Sequence, residues 1–273
     1  MLCGTVLRRT GIIIFTVLYW TTSFAVMFVG VVLSILLRVI GFPYQKVHMW
    51  VTGPMFAACV PLTLTRLRVH HHPGFDPEQR AIYVQNHINL IDGMVATCVI
   101  PHAFSGLMNA WQFKLPIYGW MMMVSKGIAV DRSVPRKETI RKLSEAAAER
   151  RRIGMSVLTF PEGHRTKDGK IQKFRRGVFM MARNAEMPIV PIIVKGMYEV
   201  NRKGSFLFYP GKTVDVFVGP QIDPSGLSDE EVPEFAQRVR EFMNYPFEHG
   251  EWPATIENLP LCGNGAGQQS RVA

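Results

Sequence analysis

The residues best placed to do chemistry are His87 and Asp92, in the stretch Asn86-His87-Ile88-Asn89-Leu90-Ile91-Asp92. On one continuous helix, five positions correspond to about 140° of rotation, so the two could not face each other there. The stretch instead follows a strand-like run, Ala81-Ile82-Tyr83-Val84-Gln85, and leads into a helix-like one, Gly93 to Ile100. Across a strand-to-helix turn the two side chains can meet. A carboxylate that accepts a hydrogen bond from one imidazole nitrogen fixes the tautomer and leaves the other nitrogen free to take a proton from a hydroxyl. Such a pair is a base that needs no protein nucleophile. Taken alone, the spacing is also open to a structural histidine at a strand end.

A second block lies downstream, where the strand-like run Ser156 to Phe160 enters Pro161-Glu162-Gly163-His164-Arg165-Thr166. A turn containing glycine lets the backbone approach a ligand closely, and an arginine beside it offers a planar fork suited to a phosphate. Glu162 can hold the arginine or the turn in place. Standing alone, the block would equally be a turn with a surface ion pair.

The elements that must position these residues alternate. Strand 81–85 is followed by helix 92–100, strand 104–109, a short helix 118–124 and strand 127–131, the rhythm of an α/β sheet. Ser133 is placed to cap a helix starting at Pro135, with Ile140, Leu143 and Ala147 on one face and Gly154 as its stop. Its other face is basic, a solvated surface or a face for anionic lipid. Helix 177–185, strand 189–194 and strand 213–218 follow. Ser228 with Glu231 reads as a capping box for a helix to about Met243, with Val232, Phe235, Val239 and Phe242 as its apolar stripe. The tail from Leu259 is Gly-rich and reads as disordered.

The 273 residues, 48% hydrophobic and 19% charged, suffice for one core plus further apolar material, and the net charge of +10 favours an anionic partner, phospholipid or nucleic acid. The N-terminus chooses between them. Thr10 to Leu37 is uncharged over 28 residues, about 42 Å as a helix, more than the roughly 30 Å of a bilayer core. A second apolar stretch, Val47 to Thr65, is kinked by Pro54 and Pro61. The expected anchor is therefore one hydrophobic and one kinked interfacial helix over residues 1–68. Basic residues flank both segments, which gives no clear orientation and suits a hairpin in one leaflet. A signal peptide cut after Ser23-Phe24-Ala25 is the competing reading, but it would leave an apolar end reaching Leu37.

His70-His71-His72 invites a metal reading. In extended chain, however, adjacent side chains alternate in direction and no carboxylate cluster accompanies them, so a connector is expected and no metal. The four isolated cysteines suggest neither a disulfide framework nor a zinc site.

Asn-His-x-x-x-x-Asp with a downstream Phe-Pro-Glu-Gly-x-Arg resembles the glycerolipid acyltransferases, especially the bacterial 1-acylglycerol-3-phosphate acyltransferases. Two further blocks extend the resemblance: Pro116-Ile117-Tyr118-Gly119 through Gly127-Ile128-Ala129-Val130-Asp131-Arg132, and Val190-Pro191-Ile192. The resemblance implies a mixed β-sheet flanked by helices over residues 69–258, behind the apolar anchor and ahead of the tail, 259–273. It implies His87 as the base and Asp92 as its orienting partner. Gly163 and Arg165 would hold the acceptor's phosphate, with Glu162 in support and Arg132 helping. Val190, Pro191 and Ile192 would place the acyl donor. The reaction needs no cofactor beyond an acyl-CoA or acyl carrier protein thioester as co-substrate. The expected partners are membrane phospholipid and a lysophospholipid at the cytoplasmic face of the cell membrane.

The sequence departs from the family pattern at Asn89, usually Ser, at His164, usually Thr or Ser, and at Trp111-Gln112-Phe113, usually Lys with Glu-Leu. These departures leave the acceptor open among lysophosphatidate, glycerol 3-phosphate, another lysophospholipid and a lyso-aminolipid. A serine hydrolase is disfavoured because no Gly-x-Ser-x-Gly elbow occurs. A non-catalytic lipid binder would leave His87, Asp92, Glu162 and Arg165 coincidental, and nothing resembles a nucleic-acid motif.

Overall fold

The structure, a computed structural model, describes residues 2–253. The tail read as disordered lies outside them. The chain opens with α1 (Leu2–Val39), followed by α2 (Tyr44–Val47), a π-helical turn (His48–Thr52) and α3 (Gly53–Ala58). The remaining elements are β1 (Arg66–His71), β2 (Ile82–Gln85), α4 (Asp92–Thr97), β3 (Phe104–Asn109), α5 (Tyr118–Val124), β4 (Ile128–Val130), α6 (Arg136–Arg152), β5 (Ser156–Thr159), α7 (Arg176–Asn184), β6 (Ile189–Lys195), α8 (Met197–Val200), β7 (Thr213–Val218) and α9 (Val232–His249).

The seven strands form one sheet in the order β1-β7-β6-β2-β5-β3-β4. β7 pairs antiparallel with β6, and all other neighbours are parallel. Central strands of a parallel region are covered on both faces, which is why every residue of β2 and β5, and all but the last of β6, is buried. Alternation divides them. Tyr83, Leu158, Val190 and Ile192 pack on the face carrying α1, α3, α4 and α5, whereas Ile82, Val84, Val157 and Ile193 pack toward α6, α7 and α9.

The register between β2 and β5 brings the two motifs together. Val84 lies opposite Thr159, so three residues further on His87 meets Glu162. In open α/β sheets ligands bind beyond the carboxyl ends of the strands, and both blocks leave the sheet at that edge.

The helix expected at the N-terminus is present as α1, about 57 Å long. Val6–Val39 is the one helix among the described residues long and apolar enough to cross a membrane. One side of it, Thr16, Tyr19, Ser23, Met27, Val31 and Ser34, is buried at helical spacing, while Ile14, Val17, Leu18, Phe28 and Leu36 are exposed. Gly30 allows the close crossing, since a Cβ there would lie 2.7 Å from Met121 Cε and 3.0 Å from Met55 Cγ.

The second apolar segment is helical but shorter than expected. Residues 44–58 fold as two short helices joined by the π turn, with Val47, Val51 and Phe56 buried and Met49 and Trp50 exposed. The backbone stays helical from 44 to 58, and the π turn lies directly before Pro54, whose missing N–H interrupts the regular ladder where the kink was expected. The boundary at residue 68 falls inside β1, and the expected connector is the sheet's edge strand: His70 Nε2 lies 3.0 Å from Asp215 Oδ1, and His71 stacks on Phe75. Ser133 bonds Asp131 instead of capping α6, which begins after Pro135. Glu231 accepts from the Ser228 N–H at 2.8 Å, but α9 starts only at Val232 and runs on to His249.

Candidate active site

β2 ends at Gln85 and α4 begins at Asp92, so residues 86–91 form the turn. Asp92 is fully buried, and its Oδ2 accepts three hydrogen bonds: from His87 Nδ1 at 2.9 Å, Ile88 N at 2.6 Å and Asn89 N at 2.8 Å. The two backbone donors fix the carboxylate, and the carboxylate fixes the ring. With an acceptor 2.9 Å away, Nδ1 carries the proton and Nε2 is left as the basic nitrogen. The His87 side chain is 23% exposed, enough to be reached, and its ring stacks on Phe160 at 4.1 Å between centroids.

The neighbouring asparagines complete the turn. Asn86 Nδ2 donates to Val194 O at 2.9 Å, and its Oδ1 accepts from Val194 N at 2.8 Å. Asn89 Nδ2 donates to Met197 O and Asn201 O, while its Oδ1 accepts from Ile91 N. The departure at position 89 is therefore part of the scaffold, with its amide committed to main chain. The place of Asn86 beside His87 was the one signal of its role, and nothing in the pattern announced Phe160.

The second block leaves β5. Glu162 is buried, with Oε1 accepting from His87 N at 2.8 Å and Oε2 from Gln172 N at 3.1 Å. It therefore ties the two loops together and does not pair with Arg165. Burial pushes its carboxyl up to about 7, against the two N–H donors that favour the anion. Thr166 N donates to His87 O at 2.8 Å, a second tie.

Gly163 has φ of +75°, and a Cβ there would come within 2.3 Å of Arg175 Nε. Arg132, exposed, donates to Gly163 O at 3.0 Å. Arg165 is half-buried, its Nη1 has no partner, and burial lowers its pKa while Asp92 works the other way. Lys203, which the motif reading missed, donates to Arg165 O at 2.7 Å. His164 is exposed, a turn residue.

His87, Gly163, Arg165 and Arg132 line one cavity of about 1380 Å³. One arm runs beneath α1 between Met27, Phe56, Phe104 and Met122 and reaches His48 and Ser125. Burial lowers His48 to about 4, so this end is polar but uncharged at neutral pH, and Ser125 Oγ is unpartnered. Of the three consecutive methionines, Met122 lines this arm, Met121 is core and Met123 is exposed. The other arm is cationic, with Arg136, Lys173, Arg175 and Arg176. Val190, Pro191 and Ile192 line neither. They are buried in β6, paired with Tyr83, Val84 and Gln85, and hold the strand that leads to His87.

Residues 66–195 match the family model described as Acyltransferase. That match spans a little under half of the chain and takes in both loops at the sheet edge, so this stretch is similar to the Acyltransferase family. The curated relatives include a 1-acyl-sn-glycerol-3-phosphate acyltransferase from Pseudomonas aeruginosa, 35% identical over 131 residues and covering 48% of this chain and 49% of that protein. The human 1-acyl-sn-glycerol-3-phosphate acyltransferase alpha is 32% identical over 182 residues, 65% of this chain and 61% of that one. The 1-acyl-sn-glycerol-3-phosphate acyltransferase from Limnanthes douglasii is 26% identical over 194 residues, 71% of this chain, and the chain spans 64% of that relative's length. The crystal structure of the 1-acyl-sn-glycerophosphate acyltransferase PlsC from Thermotoga maritima shares the fold, with a TM-score of 0.71 at 21% identity, covering 86% of this chain and 95% of that one.

Proposed function

We propose that the protein transfers a fatty acyl group from a thioester to the free hydroxyl of a 1-acylglycerol 3-phosphate, giving phosphatidate. The observation that carries this reading is a single cavity in which a carboxylate-held histidine stands between an apolar arm and a set of unpaired cations. In this mechanism His87 Nε2 takes the proton of the acceptor hydroxyl as its oxygen attacks the thioester carbonyl. The tetrahedral intermediate then collapses, the carbon–sulfur bond breaks, and the thiolate leaves with that proton. Asp92 holds the ring and stabilises the imidazolium between the two steps. Arg165, Arg132 and the Gly163 turn hold the acceptor's phosphate, Glu162 keeps that turn registered on His87, and the arm beneath α1 takes an acyl chain. The bare apolar side of α1 sits in the membrane that supplies the lysolipid, with the catalytic domain at its cytoplasmic face.

The test is thiol release from palmitoyl-CoA by the detergent-solubilised protein, with and without lysophosphatidate, for wild type and His87→Ala. Release that requires lysophosphatidate and collapses in the variant is expected. Release indifferent to both would indicate a hydrolase and refute the proposal.

A further inference from the structure

Among the described residues, two buried polar side-chain atoms without a hydrogen-bond partner belong to residues that line the cavity: Arg165 Nη1 and Ser125 Oγ. The first is taken up by the acceptor's phosphate in the proposed reaction. The second has no such counterpart, because it stands on the arm beneath α1, where Met27, Phe56, Phe104 and Met122 offer a ligand only apolar contact.

Ser125 is not alone there. His48, which lines the same arm, is buried; its Nδ1 lies 3.2 Å from Thr52 Oγ1, and its Nε2 has no hydrogen bond among the described residues. Three contacts bring the two side chains together. The His48 ring meets the Phe104 ring edge-on at 4.8 Å between centroids. Met122 of α5 covers Gly106, where a Cβ would lie 3.0 Å from its Cε. Lys126 Nζ sits 4.9 Å from the centre of the Tyr44 ring, one turn before His48. Ser125 ends α5 and adjoins Lys126, so the hydroxyl and the imidazole close the arm over residues 104–106 of β3.

The chemistry of that end decides what it can hold. A plain saturated chain would strand both groups away from water, and an anionic group would meet a neutral imidazole, since burial keeps His48 uncharged at neutral pH. A hydroxyl both donates and accepts. It can therefore pair with Ser125 Oγ and with His48 Nε2, whichever tautomer the contact with Thr52 selects.

We propose that this end is a binding site for a hydroxyl group carried on an acyl chain, remote from the carbonyl carbon, and that the protein selects such oxygenated chains over plain ones. This rests on the reading of the chain as an acyltransferase whose arm beneath α1 takes an acyl chain, and it specifies that chain.

Chain panels on both substrates test it. Palmitoyl-CoA is compared with its 3-, 8-, 12- and 16-hydroxy derivatives against one lysophosphatidate, and the same five chains are then placed on the lysophosphatidate with palmitoyl-CoA as donor. On one of the two substrates, wild type is expected to favour a chain hydroxylated at position 8 or beyond by about 10-fold in kcat/KM. Ser125→Ala and, separately, His48→Leu are each expected to lose most of that preference. Equal kcat/KM for plain and hydroxylated chains on both substrates overturns the proposal and leaves an ordered water as the partner of the two groups. A preference confined to the 3-hydroxy chain, or one that survives both substitutions, overturns it as well. If wild type turns over none of the thioesters, the reading of the reaction fails, and equilibrium binding of palmitate and the four hydroxypalmitates to the solubilised protein decides the site. Tighter binding of a hydroxylated chain that Ser125→Ala abolishes then upholds it, and equal binding overturns it.

Discussion

Two neighbouring loops leave adjacent strands at the same edge of the sheet, and they are built in opposite ways. In the turn after β2 the polar groups are turned inward: three donors converge on Asp92 Oδ2, Asn86 and Asn89 are bonded to the backbone of β6 and α8, and the unpartnered Asp92 Oδ1 is buried. The turn after β5 has a glycine at positive φ and a half-buried arginine with one unpartnered nitrogen. In the proposed mechanism the first loop carries the base, which works when its tautomer and aim are fixed in advance, and that loop spends its hydrogen bonds internally. An anion site works when its donors are held in place but left for the ligand. Glu162 is the seam, a buried carboxylate from the second loop that accepts from His87 N in the first.

Substitutions should therefore divide by loop. The largest effect is expected at His87→Ala, with kcat down by about 10²- to 10⁴-fold and the melting temperature held, because the side chain makes one hydrogen bond and is partly exposed. Asp92→Ala should lower kcat somewhat less but also destabilise the fold by several kcal/mol, since it strands two buried backbone donors at about 1–3 kcal/mol each. Thermal denaturation beside steady-state kinetics separates the two. Arg165→Gln, in the other loop, should leave kcat within a few-fold and raise KM for lysophosphatidate by about 10- to 100-fold, the value of a charge-assisted hydrogen bond or two. Unchanged KM in that variant would break the contrast between the loops.

The smallest effect concerns the seam and reads out in pH. A carboxyl whose folded pKa is raised to about 7 binds more protons folded than unfolded, so its burial costs stability as pH rises toward 7. Glu162→Gln removes that titration. The melting temperature of the variant relative to wild type should therefore climb between pH 5 and pH 8, and a flat difference across that range would place the group's titration elsewhere.

Much of this arrangement was legible because it is periodic or local. The apolar runs of β2, β5 and β6 and the His87–Asp92 turn are short-range signals, as is the glycine of the second block. Pairings between distant segments were not legible. β1, Arg66-Leu67-Arg68-Val69-His70-His71, is a polar edge strand whose partner β7 lies far down the chain, so its end at His70-His71 read as part of a connector. Residues 44–58 have the same composition whether they face lipid or core, and only packing against α1 and α4 distinguishes the cases. Val190-Pro191-Ile192 matched a family block, yet its side chains are spent on the sheet interior. Nor do His48 and Ser125 stand out in the sequence, since only the packing of the π turn and α5 over β3 brings them to one arm of the cavity.

The division between a fixed base and an unpaired anion site is tested most directly by one substrate comparison. Steady-state kinetics would be measured with 1-acylglycerol 3-phosphate and with 1-acylglycerol, which lacks the phosphate, for wild type, His87→Ala and Arg165→Gln. His87→Ala should lower kcat by the same factor on both acceptors. Arg165→Gln should raise KM for the phosphorylated acceptor alone, and so erase most of the preference for it. An Arg165→Gln variant that loses activity equally on both acceptors, or a His87→Ala variant whose defect is only in KM, would contradict the account.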